Sequence, residues 1–457
     1  MKDIEGLVNL QRNYFFTGKT LDLNYRLKNL MLLKNIIKDN EDLILKAMNK
    51  DLKKSHFEGY ETEVGIVLEE LNYAIKHLKK WAKVKKVKSQ IANFPSKCFT
   101  YPEPYGVTLI ISPWNYPFQL SIDPLIGAIA AGNTVILKPS NKSVNVSKVI
   151  TELLEKNFPK ELIAVVNGGR EENTELLKQK FDYIFFTGSV PVGKVVMEAA
   201  SKHLTPITLE LGGKSPCIVD KDIDIKLTAK RIVWGKFLNC GQTCVAPDYL
   251  YVHKDVKEPL LKEMINFIKI FYGENPQLSK DYPRIIDQSA FNRLITYLKE
   301  GTIEIGGKKD KEDLYISPTI LNNISFNDSV MQEEIFGPIL PVIEFSDLKE
   351  AINTVNKKPK PLALYFFSKN ENNINKILAN TSSGGVCINE TIMHVASLYL
   401  PFGGVGESGM GKYHGVHSFE TFSHYKSVVK KNFRFDVPLK YPPYNDKNFN
   451  FIKKVMK

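Results

Sequence analysis

The feature that most constrains the fold of this chain is a series of short, largely apolar runs separated by segments of helical length. Between residues 106 and 211 they are Gly106 to Ile111, Thr134 to Leu137, Leu162 to Val166, Tyr183 to Phe186 and Ile207 to Leu211. A strand with one face in water alternates apolar and polar side chains; these runs do not, so both faces must be covered. Their spacing of ~20 to 25 residues leaves room for one crossover helix each, which parallel strands require. The expected fold class is therefore α/β, a doubly wound parallel sheet of the nucleotide-binding kind.

After the pair Gly212-Gly213 the pattern resumes at Tyr249 to His253, Ile339 to Glu344, Leu362 to Phe367 and Gly385 to Asn389, which predicts a second α/β domain beyond a boundary near Leu211. A chain of 457 residues exceeds what one hydrophobic core sustains, in agreement with two large domains. Upstream, Val64, Val67, Leu68, Leu71, Ile75 and Leu78 recur at helical spacing, so the first eighty residues read mostly as helix.

Charge and cysteine content exclude several classes of function. The formal charge of +12 is spread along the chain, which argues against a nucleic-acid partner. Its densest patch, Lys79, Lys80, Lys83, Lys85, Lys86 and Lys88, reads as a solvated edge strand protected by its lysines. Five cysteines, an odd number without framework spacing, indicate a reducing compartment. The apolar stretches, such as Pro124 to Ala131, are too short to cross a bilayer, and no signal-peptide pattern opens the sequence, so the protein is expected to be cytoplasmic and without a transmembrane anchor.

Two glycine motifs near the end are not credible phosphate loops. Gly404, Gly406 and Gly409 spell Gly-x-Gly-x-x-Gly and Gly406 to Lys412 spells most of a P-loop, yet neither follows a buried strand and Tyr413 stands where Ser or Thr is needed. They read as turn glycines.

Better placed is Phe186-Thr187-Gly188-Ser189-Val190-Pro191-Val192-Gly193-Lys194, which follows a strand and opens a helix. Free amides there favour an anion, although such a turn also uses glycine for φ > 0 alone. Lys138, in Lys138-Pro139-Ser140, ends the second strand, where a ribose contact or a plain surface lysine are both open readings. Cys244 closes Asn239-Cys240-Gly241-Gln242-Thr243-Cys244 and is a nucleophile or an inert core thiol; Cys240 and Cys244 lack the further ligands of a zinc site, so no metal is expected. Glu210, at a strand end before Gly212, would be a base near neutral pH if partly buried. Asn115, in Pro113-Trp114-Asn115-Tyr116-Pro117, follows the first strand and offers an amide donor or a turn residue.

In this order, together with Glu334-Ile335-Phe336-Gly337-Pro338 and Pro401-Phe402-Gly403-Gly404, these segments closely resemble the aldehyde dehydrogenase superfamily. The closing Phe419 to His424 and Tyr441 to Tyr444 resemble its class 3 branch of fatty and aromatic aldehyde enzymes. The resemblance implies oxidation of an aldehyde to a carboxylic acid with NAD or NADP. Cys244 as thiolate would form a hemithioacetal and then a thioester, Asn115 and the Cys244 N–H would hold the oxyanion, and Glu210 would activate the deacylating water. Glu334 would fix the nicotinamide ribose, Phe336 would pack near the ring, and Gly188, Ser189 and Gly193 would shape the loop beside the pyrophosphate, with Lys138 at the adenosine ribose.

It also implies a dinucleotide-binding domain of residues 1–81 and 101–211, a catalytic domain of 212–412, and a protruding oligomerisation region with the tail, 82–100 and 413–457, in a homodimer. The last forty residues are expected to run back over the first domain or a partner. One departure matters: many relatives carry glutamate after Lys-Pro-Ser, and here Asn141 stands there, so NADP is expected to be accepted. Rival activities are acyl transfer to coenzyme A and redox-independent cysteine esterase chemistry. Tyr60, Tyr116, Trp234 and Leu238 are candidates for an apolar path to the site, with the core as the alternative reading for each.

Overall fold

A computed structural model describes residues 3–456 and builds them around two sheets. The first has six strands in the order Gly409–Met410, Ile207–Leu211, Tyr183–Gly188, Val107–Ile111, Thr134–Lys138 and Ile163–Val165. Gly409–Met410 is antiparallel to its neighbour and the other five are parallel, so each early apolar run is a strand. Their unbroken hydrophobicity has a direct cause. Val107, Leu109 and Ile111 pack on one face with Ile4, Val8 and Val196, while Ile110 joins Phe118, Ile122 and Leu125 on the other.

From Val107–Ile111 the sheet grows outward to Ile163–Val165, and the chain then returns to add Tyr183–Gly188 on the opposite side. At such a reversal the strand ends part into a crevice. Pro113-Trp114-Asn115 leaves one side of it and Gly188-Ser189 the other. The helix Gln119–Ala131 that follows the first strand is buried along its whole length, which explains its apolar sequence. Among the described residues no helix is long and apolar enough to cross a membrane.

The second sheet has seven strands, ordered Thr302–Ile305, Thr319–Asn322, Ile339–Phe345, Tyr249–His253, Pro216–Val219, Ala363–Phe367 and Gly385–Ile388. All pairings are parallel except at the Thr302–Ile305 edge. The chain crosses from one sheet to the other through residues 212–215, where a Cβ on Gly213 would lie 3.3 Å from the backbone of Pro361. Five helices precede the first sheet: Ile4–Phe16, Leu23–Asp39, Glu41–Leu52, His56–Gly59 and Gly65–Trp81, with a π-helical turn at Tyr60–Val64 before the last.

The lysine-rich segment departs from expectation. Lys79 and Lys80 end the helix Gly65–Trp81, and only Lys85–Val87 is a strand, at the edge of a three-stranded antiparallel sheet with Lys97–Pro104 and Ser423–Lys430. Ser423–Lys430 does run back along Lys97–Pro104, but the helix Asp446–Val455 beyond it has no buried residue. Of the late glycines, Gly406 opens the 3₁₀ turn Gly406–Ser408 and a Cβ on Gly404 would meet the Ser408 carbonyl oxygen at 2.0 Å, whereas Gly409, expected in a turn, belongs to the strand Gly409–Met410.

Candidate active site

A cleft of about 740 Å³ opens between the two sheets, and Asn115, Gly188, Glu210, Cys244 and Glu334 all line it. The nucleophile loop owes its shape to three successive left-handed residues after the helix Ile225–Phe237: Asn239 at φ 51°, Cys240 at 55° and Gly241 at 70°. Asparagine and glycine tolerate this conformation best. The curl seals Cys240 inside, where burial pushes its thiol up to about 12, and turns half-buried Cys244 toward the cleft. Gln242 fixes the loop to its surroundings, donating to the Arg284 carbonyl at 2.9 Å and accepting from the Ile286 amide at 3.0 Å.

Burial, followed by Glu334 and Glu210, pushes the Cys244 thiol up to about 12, while the amides of Cys244 and Val245 pull it down. Burial and the two acidic groups facing the sulfur both favour the protonated thiol over the thiolate. Glu210 ends the strand Ile207–Leu211 with 3% exposure, and neither carboxylate oxygen has a hydrogen-bond partner. Burial raises its pKa well above the ordinary value. Asn115 Nδ2 donates to the Gln242 carbonyl at 3.1 Å, which aims the amide across the cleft and leaves its second hydrogen free.

Beside these groups the helix Val190–Ser201 begins with Ser189, whose side chain makes no capping bond, so its first amides stay available to an anion. A Cβ on Gly188 would lie 2.6 Å from the Phe186 ring, and one on Gly212 would lie 2.1 Å from Glu334 Oε2. Glu334 is held at about 8 chiefly by burial, then by Asp248. Its segment is pinned by Lys214, which donates to the carbonyls of Val330 and Glu333 at 2.8 and 2.9 Å, and by Arg293, which donates to Ile335 at 2.6 Å. Phe336, at φ 51°, sets its ring edge-on to Trp114 with centroids 5.4 Å apart.

Residues 2–428 match the sequence pattern described as the aldehyde dehydrogenase family. The chain belongs to that family. It is 48% identical to the 4,4'-diaponeurosporen-aldehyde dehydrogenase of Staphylococcus aureus over 97% of both chains. It is 46% identical to the dimeric, NADP-preferring aldehyde dehydrogenase of Canis lupus familiaris over 97% of this chain and 98% of that one. A substrate-bound Staphylococcus aureus AldH structure superposes with a TM-score of 0.98 at 47% identity, covering all of both chains. Within the family the resemblance is to class 3 members. The protein is thus an NAD(P)-dependent aldehyde dehydrogenase that oxidises aldehydes to acids.

The dehydrogenase carries a second cleft of about 420 Å³, lined by Ser140, Asn141, Asn167 and Gly168. Lys138 lies beside it, 2% exposed, its ammonium donating to the Pro139 carbonyl at 2.9 Å and its pKa lowered by burial to about 8. An open helix terminus, side-chain-free backbone at Gly188 and a second cleft that includes Ser140, Asn141 and Asn167 fit a bound dinucleotide. Two expectations change. Gly193 lies inside the helix instead of in the loop, and a Cβ there would lie 2.8 Å from Leu211, so it seats helix on strand. None of Tyr60, Tyr116, Trp234 and Leu238 lines the larger cleft: Tyr60 is 43% exposed, and the Tyr116 hydroxyl is bonded to Thr243 Oγ1 at 2.7 Å.

Sequence reasoning missed Lys214, Arg293, Asn239 and Gln242 as supports. Asn239 and Gln242 stand in the Cys244 segment and Lys214 directly follows Gly212-Gly213, which was a signal; Arg293 gave none.

Proposed function

We propose that Cys244 is the nucleophile, Asn115 and the Cys244 N–H the oxyanion donors, and Glu210 the base. The arrangement that carries this reading is the convergence of a half-buried thiol, an amide with a free hydrogen and an unpartnered carboxyl on one cleft. As Cys244 Sγ bonds to the aldehyde carbon, its proton passes to a facing carboxylate, and the carbonyl oxygen becomes an oxyanion received by the two donors. Bound NAD(P) supplies the hydride acceptor, held by Gly188, Ser189, Glu334 and Phe336, with Lys138 at the far end. Loss of hydride from the carbon leaves a thioester on Cys244. Once the first proton has left to solvent, Glu210 takes a proton from water, whose oxygen adds to the thioester carbon; the C–S bond breaks, the departing sulfur recovers that proton from Glu210, and the acid is released.

Rapid mixing tests the assignment. Cys244→Ala should abolish turnover, and Glu210→Gln should give a burst of reduced cofactor followed by turnover slowed ~10²-fold or more. A Glu210→Gln enzyme at the normal steady-state rate removes that residue from the mechanism.

Two finer readings belong here. Asn141 in place of an acidic residue leaves the second cleft open to a 2′-phosphate, with Lys138 to attract it, so the enzyme takes NADP as well as NAD. The three-stranded sheet ends in the strand Ser423–Lys430, whose outer edge has no partner strand among the described residues, and we assign it to a homodimer interface. Sedimentation showing a monomer at micromolar concentration would overturn that assignment.

A further inference from the structure

Beneath the nucleophile loop lies a set of buried ionisable side chains that the reaction as written does not use. Lys54 and Glu63 are both fully buried, and their ammonium and carboxylate meet at 2.6 Å. Glu58, 7% exposed, lies near them. In a regular helix Glu58 and Glu63, five residues apart, would diverge by about 140°. The π-helical turn Tyr60–Val64 widens that stretch, and both carboxylates end up inside.

Each group grips one of the two loops that meet at the thiol. The Lys54 ammonium donates to the Asn115 carbonyl at 3.4 Å and lies 4.2 Å over the Tyr116 ring. The second oxygen of Glu63 accepts from the Phe118 and Gln119 amides at 2.9 and 3.2 Å, fixing the far end of the same loop. Glu58 Oε1 accepts from the Asn239 amide at 2.9 Å, at the first left-handed residue of the nucleophile loop. Asn239 closes the circuit by donating from Nδ2 to the Asn115 carbonyl at 2.8 Å and to Gln242 at 3.2 Å.

A buried ion pair is a costly way to gain stability, since apolar residues of similar volume often do as well. What charge offers here is strong hydrogen bonds at fixed positions. We propose that Lys54, Glu58 and Glu63 are positioning residues for aldehyde oxidation, holding the Asn115 loop and the Asn239–Cys244 loop in one frame so that amide and sulfur reach the same carbonyl. The inference rests on the roles given above to Cys244 and Asn115.

A double-mutant cycle on the burst rate tests it. Lys54→Met/Glu63→Gln removes the charges together and keeps an acceptor for the two amides, so no lone charge is buried. With folding checked by Tm and circular dichroism, the burst should slow ~10- to 100-fold, approaching the loss of one oxyanion donor. In an Asn115→Ala background the same pair should slow it less than roughly threefold, because the frame then has no donor to aim. Equal losses in both backgrounds, or a folded paired variant with an unchanged burst, would overturn the proposal.

Glu58→Gln supplies an isosteric second arm. Burial pushes the Glu58 carboxyl up to about 7 against the pull of Lys54 and the Asn239 amide, with Glu63 and Glu61 adding to the rise; Tyr116, Tyr272 and Cys240 also face it. Below that pH the Asn239 amide loses its charged acceptor, so the wild-type burst should fall more steeply on the acid side of about 7 than the Cys244 proton alone dictates, and Glu58→Gln should lack that added limb. An unchanged limb removes Glu58 from the frame. A normal burst in Asn115→Ala would instead sink the site assignment, and this inference with it.

Discussion

At the residue scale, burial makes the two groups proposed to react hold their protons more tightly than usual. Cys244 is pushed up to about 12 and Glu210 rises in the same direction, both mainly by burial, and in the proposed mechanism each acts after losing its proton. Burst rate and kcat should therefore climb from pH 7 toward 10, and a profile flat from pH 6 to 9 would contradict the geometry. Asn141 is the second residue with a sharp consequence. Asn141→Glu places a carboxylate where a 2′-phosphate would bind, and kcat/KM for NADP relative to NAD should drop roughly 10- to 100-fold, as ~1.4 to 2.8 kcal/mol of repulsion gives. In the native enzyme, NADP use relative to NAD should decline as pH rises through about 8, where Lys138 loses its charge.

At the scale of elements, the catalytic loop depends on a close approach between chain segments. Gly241 holds φ 70°, and a Cβ there would lie 2.3 Å from the Gly337 carbonyl oxygen, next to the segment that carries Glu334. Gly241→Ala should cost ~2 to 4 kcal/mol in urea unfolding, combining left-handed strain with a backbone clash. A loss below about 0.5 kcal/mol would mean that the loop and the Glu334 segment are not rigidly apposed. The strand Gly409–Met410 depends on a similar approach, since its register puts Gly409 opposite Glu210 and a Cβ on Gly409 would lie 2.0 Å from the Leu209 carbonyl oxygen.

For the molecule as a whole, buried acids make stability depend on pH with an unusual sign. Glu58 at about 7 and Glu334 at about 8 bind protons more tightly folded than at their ordinary value near 4.5. Their contribution is full below about 4.5 and is lost as pH rises through 7 to 8. Tm should fall between pH 5 and 8.5, and Glu334→Gln should flatten that slope; a Tm that rises over this range in the wild type would contradict it. The exposed tail behaves differently. The helix Asp446–Val455 buries nothing, so truncation after Lys430 should move Tm by less than roughly 2 °C.

The apolar runs marked most strands of both sheets in advance, because a strand buried on two faces favours such a sequence, as Val107–Ile111 and Tyr183–Gly188 illustrate. The short strands Pro216–Val219 and Thr319–Asn322 escaped notice, having too few residues for a pattern. Of the site, Cys244, Glu210, Asn115, Gly188 and Glu334 were legible as motifs, since chemistry demands those residue types. Their protonation was not, because a pKa depends on what surrounds a group in space, and only packing decides that two carboxyls face the thiol. Nothing in the sequence marked Lys54, Glu58 and Glu63; a single widened turn brings the two carboxylates inward, and no spacing rule in one dimension announces it.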